Sequence, residues 1–281
     1  MTMLRSVART GWSALRYIAV TVMVIMAGFP LYWMLNTALA SDDDLYGSGQ
    51  KFLLQLQNFP NLLEKLGEVE LGTWVSNSVL IAFGTTLLAL TLGSLAGYAL
   101  SRFRFRGKGF TGFLMFSTQV LPEALILVPL YTVFIKLGLL NNLGGLVLAD
   151  TAFVLPVTAF VLKGAMDKIP YELEESAMID KCPRLSILTM IVLPIIAPSV
   201  AAAAVVAFFA GWNEYLFAAT FVSDRELWPA SVGLASFIGQ NETPMSAIMG
   251  SALVFAIPAI TFFLLVQRRI IAGIASGAVK G

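Results

Sequence analysis

Six stretches of this chain run for about the length of a bilayer crossing with almost no charge, and nothing else in the sequence constrains the fold as strongly. A hydrocarbon core of roughly 30 Å takes about 20 helical residues at ~1.5 Å each. On that measure the runs predict helices at Tyr17–Ala40, Trp74–Leu100, Phe110–Ile135, Leu143–Leu162, Ile195–Thr220 and Ala247–Val266. The expectation is an all-α membrane protein with six transmembrane helices, organised as a single transmembrane domain over residues 1–281. Composition agrees, because 58% apolar and 12% charged residues leave too little charge to keep a water-soluble surface dispersed. Arg5, Arg9 and Arg16 followed by Ala38-Leu39-Ala40 imitate a secretory signal, but the apolar run exceeds the ~7–15 residues of such a signal and reads as a retained anchor.

Lysine and arginine placement orients the spans. With the N-terminus cytoplasmic, the inner segments hold Arg5, Arg9, Arg16, Arg102, Arg104, Arg106, Lys108, Lys163, Lys168, Lys181, Arg184, Arg268, Arg269 and Lys280, leaving only Lys51, Lys65, Lys136 and Arg225 outside. Both termini are therefore expected inside, and the outer loops are acidic. A net charge of +1 with scattered basic residues excludes a nucleic-acid surface. The absence of histidine, with Cys182 the one cysteine, removes histidine acid–base chemistry, His/Cys metal cages and internal disulfides.

One cytoplasmic loop, residues 165–185, gathers acids in an otherwise apolar chain. Pro170 suits the first turn of a helix, and Glu172, Glu174 and Glu175 then fall where the helix dipole favours them. Pro183 should end that helix by Cys182. Helical spacing groups Leu173, Ala177 and Met178 on one face and Glu172, Glu175 and Ser176 on another. Such a helix is either a solvated loop element or a knob that docks in a partner's groove. Beyond it, Leu185–Thr220 is too long for one straight span, and Pro194 and Pro198 mark the expected bend.

The order Glu175-Ser176-Ala177, Asp180-Lys181 and Leu193-Pro194 resembles the loop signature of permease subunits in ATP-binding-cassette importers. Further segments resemble the carbohydrate-uptake branch and its maltose-type smaller permease: Gly97-Tyr98-Ala99-Leu100-Ser101-Arg102 with Phe105-Arg106-Gly107-Lys108, Asn77-Ser78, Leu137-Gly138-Leu139-Leu140-Asn141, Gly211-Trp212-Asn213-Glu214-Tyr215-Leu216-Phe217, and the tail from Gln267-Arg268-Arg269 to Gly281. Two positions depart from the pattern. Ser176 replaces a usual alanine, and Lys181 stands where the family generally has glycine. Lysine would enter a left-handed turn only with strain, so either an ordinary turn or a slightly different loop geometry is expected there.

The resemblance implies a type I importer permease fold in a bacterial or archaeal cytoplasmic membrane. It also implies partners: a second homologous permease, two cytoplasmic ATP-binding subunits that carry the ATP and Mg, an extracellular or periplasmic sugar-binding protein, and surrounding lipid. Glu174, Glu175, Ser176, Ala177, Asp180 and Lys181 would couple to the ATPase, and rigid-body rocking would alternate access. Ser276, Gly277, Lys280 and Gly281 would reach between the ATPases, unless the tail is merely frayed. Gly239, Gln240 and Asn241 would contact the binding protein. The chain itself is expected to bind no cofactor and to catalyse nothing, since Arg106-Gly107-Lys108-Gly109 lacks the residues of a P-loop.

Glu123, Asp150 and Glu214 lie within or at the edge of spans, where a lipid-facing carboxylate costs roughly 2.5–3.5 kcal/mol. They should face a cavity or pair with neighbouring helices. Gln119 and Glu123 flank Pro122, which points to a broken, pathway-lining helix. Asn213 and Glu214 beside Tyr215 combine polar and aromatic groups suited to a sugar, although aromatic residues at that depth also serve as interface anchors. Within the family, import of glycerol phosphate or another polyol fits equally. A membrane-embedded transferase would need a nucleophile or metal cluster that the chain does not offer, and an ion-coupled carrier would leave the loop helix unexplained.

Overall fold

The computed structural model describes residues 2–47, 52–67, 70–238 and 245–278; of residues 2–14, Asp42 and 272–278 only the backbone is described. Every regular element among them is helical. In chain order they are α1 (Thr2–Ala38), α2 (Asp42–Tyr46), α3 (Phe59–Gly67), α4 (Leu71–Arg102), α5 (Lys108–Thr118), α6 (Glu123–Leu137), α7 (Leu143–Met166), α8 (Glu172–Ile179), α9 (Arg184–Ile187), α10 (Leu193–Ile195), α11 (Ala197–Trp212), α12 (Leu216–Phe221), α13 (Ala230–Ala235) and α14 (Met245–Ala278). Contacts divide the chain into two compact units, residues 1–69 with 237–256 and residues 70–236 with 257–281.

The larger unit is built on α4, α7 and α11. Ala89, Gly93 and Gly97, spaced by four, form a buried stripe on α4, and Ala203, Ala207 and Gly211 form another on α11. Small residues let helix backbones approach closely, which is how helices associate when lipid is as apolar as their own side chains. A Cβ on Gly93 would come within 2.7 Å of the Thr158 methyl, and one on Gly97 within 2.9 Å of the Ala159 carbonyl. One apolar cluster closes the Arg102 end of α4 around Tyr98, Leu162, Met166, Ile187 and Val192. Another closes the Trp74 end around Ile81, Leu146, Phe217 and Phe221. Leu80, Leu87 and Leu95 stand exposed on the opposite face of α4, as lipid requires and water would penalise.

In the smaller unit, Ala38, Leu39 and Leu62 pack with Leu54, Leu66, Met249 and Leu253. Gln55 donates to Asp44 at 2.6 Å and Lys65 to Ser246 at 3.0 Å, around a polar cavity of about 550 Å³.

Among the described residues, five helical stretches are long and apolar enough to cross a membrane: Leu15–Ala38, Leu71–Arg102, Leu143–Met166, Ala197–Phe221 and Met245–Ile271. Two expected spans are not continuous helices. The run predicted as Phe110–Ile135 divides into α5 and α6, which meet at 103°. The break falls at Pro122, whose extended backbone (φ −60°, ψ 131°) ends one helix geometry before the next begins, whereas Pro129 is accommodated inside α6. The run predicted as Ile195–Thr220 stops at Trp212 and resumes at Leu216. Its approach is also irregular: Leu188–Val192 is a π-helical stretch, and Ile196 leaves helical geometry between Pro194 and Pro198.

Candidate functional site

The acidic loop folds as the sequence predicts, into α8 with Glu172, Glu174 and Glu175 in its first turn. Its end is a full Schellman cap, in which Lys181 N–H bonds the Met178 carbonyl at 3.0 Å and Cys182 N–H bonds the Ala177 carbonyl at 3.1 Å. That cap needs a left-handed residue, and Lys181 supplies it at φ 58°. The ordinary turn that was one of the two expectations for Lys181 does not form, because the left-handed turn persists with lysine in it. Gly138 closes α6 by the same pair of bonds, with Gly138 N–H on the Ile135 carbonyl and Leu139 N–H on the Phe134 carbonyl.

The faces of α8 differ from the predicted grouping. Glu174 is fully buried and Ala177 is 8% exposed, both turned toward Tyr98, Leu162 and Met166, while Leu173 and Ile179 point outward. Arg102 Nε bonds Glu174 Oε1 at 2.5 Å, and Tyr98 OH donates to Glu174 Oε2 at 2.8 Å. Arg102 Nη2 also donates to the Met166 and Ile169 carbonyls at 2.8 and 3.1 Å. A buried carboxylate is tolerable only with such full pairing. Glu174 and Ala177 thus fasten α8 to its own chain, whereas Glu175, Ser176, Asp180 and Lys181 of the expected coupling set are exposed. Next to this pair, Ser101 Oγ and Lys163 Nζ each donate to Asp167 at 2.6 Å. Partial burial alone would raise the Asp167 pKa, but the bonds from Lys163 and Ser101 together hold it below the usual carboxylate value.

A second constellation forms where the two spans break. A cavity of about 300 Å³ is lined by Glu123, Asp150, Asn213, Glu214 and Tyr215, with Phe153, Phe209 and Phe217 supplying aromatic walls. Five of the six pathway candidates meet there. The sixth, Gln119, donates to the Phe153 carbonyl at 2.8 Å instead. Glu214 explains the local break: its Oε1 accepts from Phe217 N–H at 2.6 Å and Ala218 N–H at 3.0 Å, capping α12 and giving the chain a fresh helix start. Glu123 opens α6, where the helix dipole favours a carboxylate. Thr85 lies beside Asp150 and was not anticipated; the hydroxyl-bearing position on a long apolar helix gave no pattern that would single it out.

Near its start, α4 clamps returning backbone. Trp74 Nε1 donates to the Arg225 carbonyl at 3.1 Å, Asn77 Nδ2 to the Glu226 and Trp228 carbonyls at 2.7 and 3.0 Å, and Ser78 Oγ accepts from Ala230 N–H at 2.9 Å. Asn141, itself left-handed at φ 54°, accepts from Ser223 and Asp224 N–H. Gly239, Gln240, Asn241, Lys280 and Gly281 lie outside the described residues, and of Ser276 and Gly277 only the helical backbone of α14 is described. No group of three or more Asp, Glu or Cys suited to a metal ion occurs among the described residues.

This architecture matches known transport proteins. Residues 89–272 match the family described as the binding-protein-dependent transport system inner membrane component. The chain is 31% identical over 266 residues to the trehalose/maltose transport system permease protein MalG of Thermococcus litoralis, covering 94% of this chain and 95% of the relative. It is 32% identical over 253 residues to the melibiose/raffinose/stachyose import permease protein MelC of Bacillus subtilis, covering 90% and 91%. Its fold is similar to that of a chain in the crystal structure of a bacterial ABC transporter that imports the acidic polysaccharide alginate, with a TM-score of 0.76 at 20% identity over 92% of this chain and 95% of that one. With its apolar helices and this match across most of its length, the chain belongs to the family of inner-membrane components of binding-protein-dependent transport systems.

Proposed function

We infer that this chain is a permease subunit of an ATP-driven importer for a sugar or oligosaccharide, forming half of the translocation pathway. It lies in a cytoplasmic membrane with both termini inside, and residues 1–281 act as one transmembrane domain with residues 165–185 as its coupling loop. The bent α5–α6 pair counts as one span, giving six. The solute class is supported by the relatives, which are named for trehalose, maltose and raffinose-type sugars.

The observation that carries the coupling reading is the two-sided character of α8. Its inner face is bolted to α4 and α7 through Arg102 and Glu174, while its outer face presents Leu173, Ile179, Glu172, Glu175 and Ser176. An apolar pair flanked by acids is a helix-in-groove surface, and a helix so fixed passes movement to the spans instead of absorbing it. Its partner is a cytoplasmic ATPase that binds ATP and Mg, one beneath this chain and one beneath a second permease. Asp180 and Lys181 complete the contact at the exposed cap. Residues Ser276, Gly277, Lys280 and Gly281 reach between the ATPases, Gly239, Gln240 and Asn241 meet the extracellular binding protein, and the cavity of Glu123, Asp150, Asn213, Glu214 and Tyr215 lines the pathway.

Ile179→Asp with Leu173→Asp should abolish co-purification of the ATPase and sugar uptake while membrane levels of the permease stay normal. Retained co-purification with the doubly substituted chain would sink the docking assignment.

A further inference from the structure

A third cavity, of about 520 Å³, lies wholly within the larger unit and belongs to neither constellation described above. Leu90 of α4, Leu193 of α10, Val200 and Ala204 of α11, and Leu265 and Arg269 of α14 line it. The sequence explains why it stays open. Pro194 and Pro198 bend the approach to α11, with Ile196 out of helical geometry between them, and Ala197, Ala201 and Ala204, spaced by four and three on one helical face, bring only methyl groups to the gap. Phe262 stacks on Phe208 at 3.9 Å and meets Phe83 edge-on, which seats α14 against α4 and α11 about 10 Å before Arg269 and leaves the cation at the opposite end of the groove.

The occupant's class follows from this lining. Among the described residues its polar members are Thr189, whose hydroxyl already donates to the Leu185 carbonyl at 3.0 Å, and Arg269. Arg269 is exposed and makes no hydrogen bond or ion pair among the described residues, and no carboxyl group there lines the groove. A sugar would find almost nothing to bond along Leu90, Val200 and Leu265. A purely apolar occupant would leave the guanidinium bare. An amphiphile with an acyl tail and an anionic head meets both ends, and basic pockets between membrane helices take anionic lipid heads in this way, each cation near the surface being worth about fivefold in binding.

We propose that this groove holds one phospholipid with an anionic head group, its phosphate on the Arg269 guanidinium and one acyl chain along Leu90, Val200, Ala204 and Leu265. The site is separate from the sugar pathway, and on the orientation proposed above its lipid comes from the cytoplasmic leaflet. A lipid seated there ties α14 to α10 and α11 across the gap that the two prolines leave.

The test uses the full-length chain purified in detergent and analysed by native mass spectrometry with dioleoyl phosphatidylglycerol and dioleoyl phosphatidylcholine, which share both tails and differ in head-group charge. The first lipid bound should be phosphatidylglycerol, preferred about fivefold. Arg269→Gln should bring the two lipids to near-equal binding, whereas Arg104→Gln, at an exposed cation outside the groove, should leave the preference intact. Ala197→Leu puts a branched side chain in the path of the tail and should weaken both lipids at least about tenfold, each displaced methylene being worth about fourfold. Leu265→Trp, at a position 74% exposed where folding is not at stake, should give the same loss from the α14 side. Equal affinity for the two lipids, or a preference that Arg104→Gln erases as fully as Arg269→Gln, overturns the proposal. So does phosphatidylglycerol binding that neither Ala197→Leu nor Leu265→Trp weakens, which would put the lipid elsewhere on the surface. A chain that retains no lipid and purifies as a dimer, broken by Ala197→Leu, would make the groove a helix–helix contact and overturns it as well. None of these outcomes bears on the importer reading, which is decided by sugar uptake.

Discussion

At its Trp74 end helix α4 holds its neighbours with neutral groups, an indole, an amide and a hydroxyl bonded to backbone, whereas at its Arg102 end it holds α8 with a buried ion pair and a tyrosine. The neutral clamp spreads its work over separate bonds, each worth about 1 kcal/mol, so losing one weakens the joint without stranding a charge. The charged clamp concentrates its work. Arg102 alone reaches Glu174, Met166 and Ile169, and removal of either ion strands the other in an apolar cluster. The difference teaches that the Trp74 end is built to be tolerant and the Arg102 end to be all-or-none.

The largest break in that comparison is Arg102→Met, which leaves Glu174 buried without its counter-ion, bonded to Tyr98 alone, at a cost of about 3–5 kcal/mol. Amide exchange across Glu172–Asp180 should accelerate and uptake should fail. Arg102→Met combined with Glu174→Leu should restore much of the protection, since an apolar pair of similar volume replaces the ions. Failure of the double variant to regain protection would mean that α8 is held by something other than charge compensation. Second in size is Asn77→Leu, which removes both bonds to the Glu226 and Trp228 carbonyls for about 1–3 kcal/mol. It should loosen residues 225–230 by exchange and leave α8 protection unchanged.

Smaller effects sharpen the picture at the two Schellman caps. Lys181→Gly relieves a left-handed lysine worth roughly 1–2 kcal/mol but adds freedom to the unfolded chain worth about 0.4–1 kcal/mol. A net stabilisation between about 0 and about 1.6 kcal/mol is expected, read as slower exchange of the Cys182 amide. Gly138→Ala should destabilise α6 by about 1–2 kcal/mol. Identical responses at the two sites would show that Lys181 is unstrained. The smallest effect is pH. Asp167 has a lowered folded pKa, so its contribution is present above the unfolded value near ~3.9 and is lost as pH falls through the folded value. Protection of residues 163–174 should therefore decline below about pH 4, and Asp167→Asn should flatten that decline. The clamps of Trp74, Asn77 and Ser78 carry no titratable group and should not respond.

Much of the fold was legible because crossing a bilayer demands length and apolarity, and both can be read along the chain. The extent of α8 was legible too, since Pro170, three acids and Pro183 are local signals. Its facing was not. On an eight-residue helix with apolar groups on both sides, periodicity cannot say which side is buried, and the partner that decides it, Arg102, lies 72 residues away from Glu174. Lys181 was misread for a related reason: the lysine's own preference is outweighed by two cap bonds that only the assembled loop reveals. The break after Trp212 also escaped, because Glu214 looked like a pathway acid when it is in addition the cap that starts α12. Of the cavity, the acids and aromatics were visible as types, but their convergence depended on two helices ending where their hydropathy continues.

The glycine notches of α4 limit how this core can move. Thr158 fills the space at Gly93, and the α7 backbone fills the space at Gly97, with Ala89 one further step along the stripe. A slide of α4 along α7 would drive Thr158 into a larger side chain until the next small residue arrived, four residues or ~6 Å away. Shear is therefore blocked over the short travel that packed helices ordinarily use. What remains is turning as one piece, so on the coupling proposed for α8 a push there would emerge at the cavity as rotation of a rigid block, with timing set by the block and not by slippage within it.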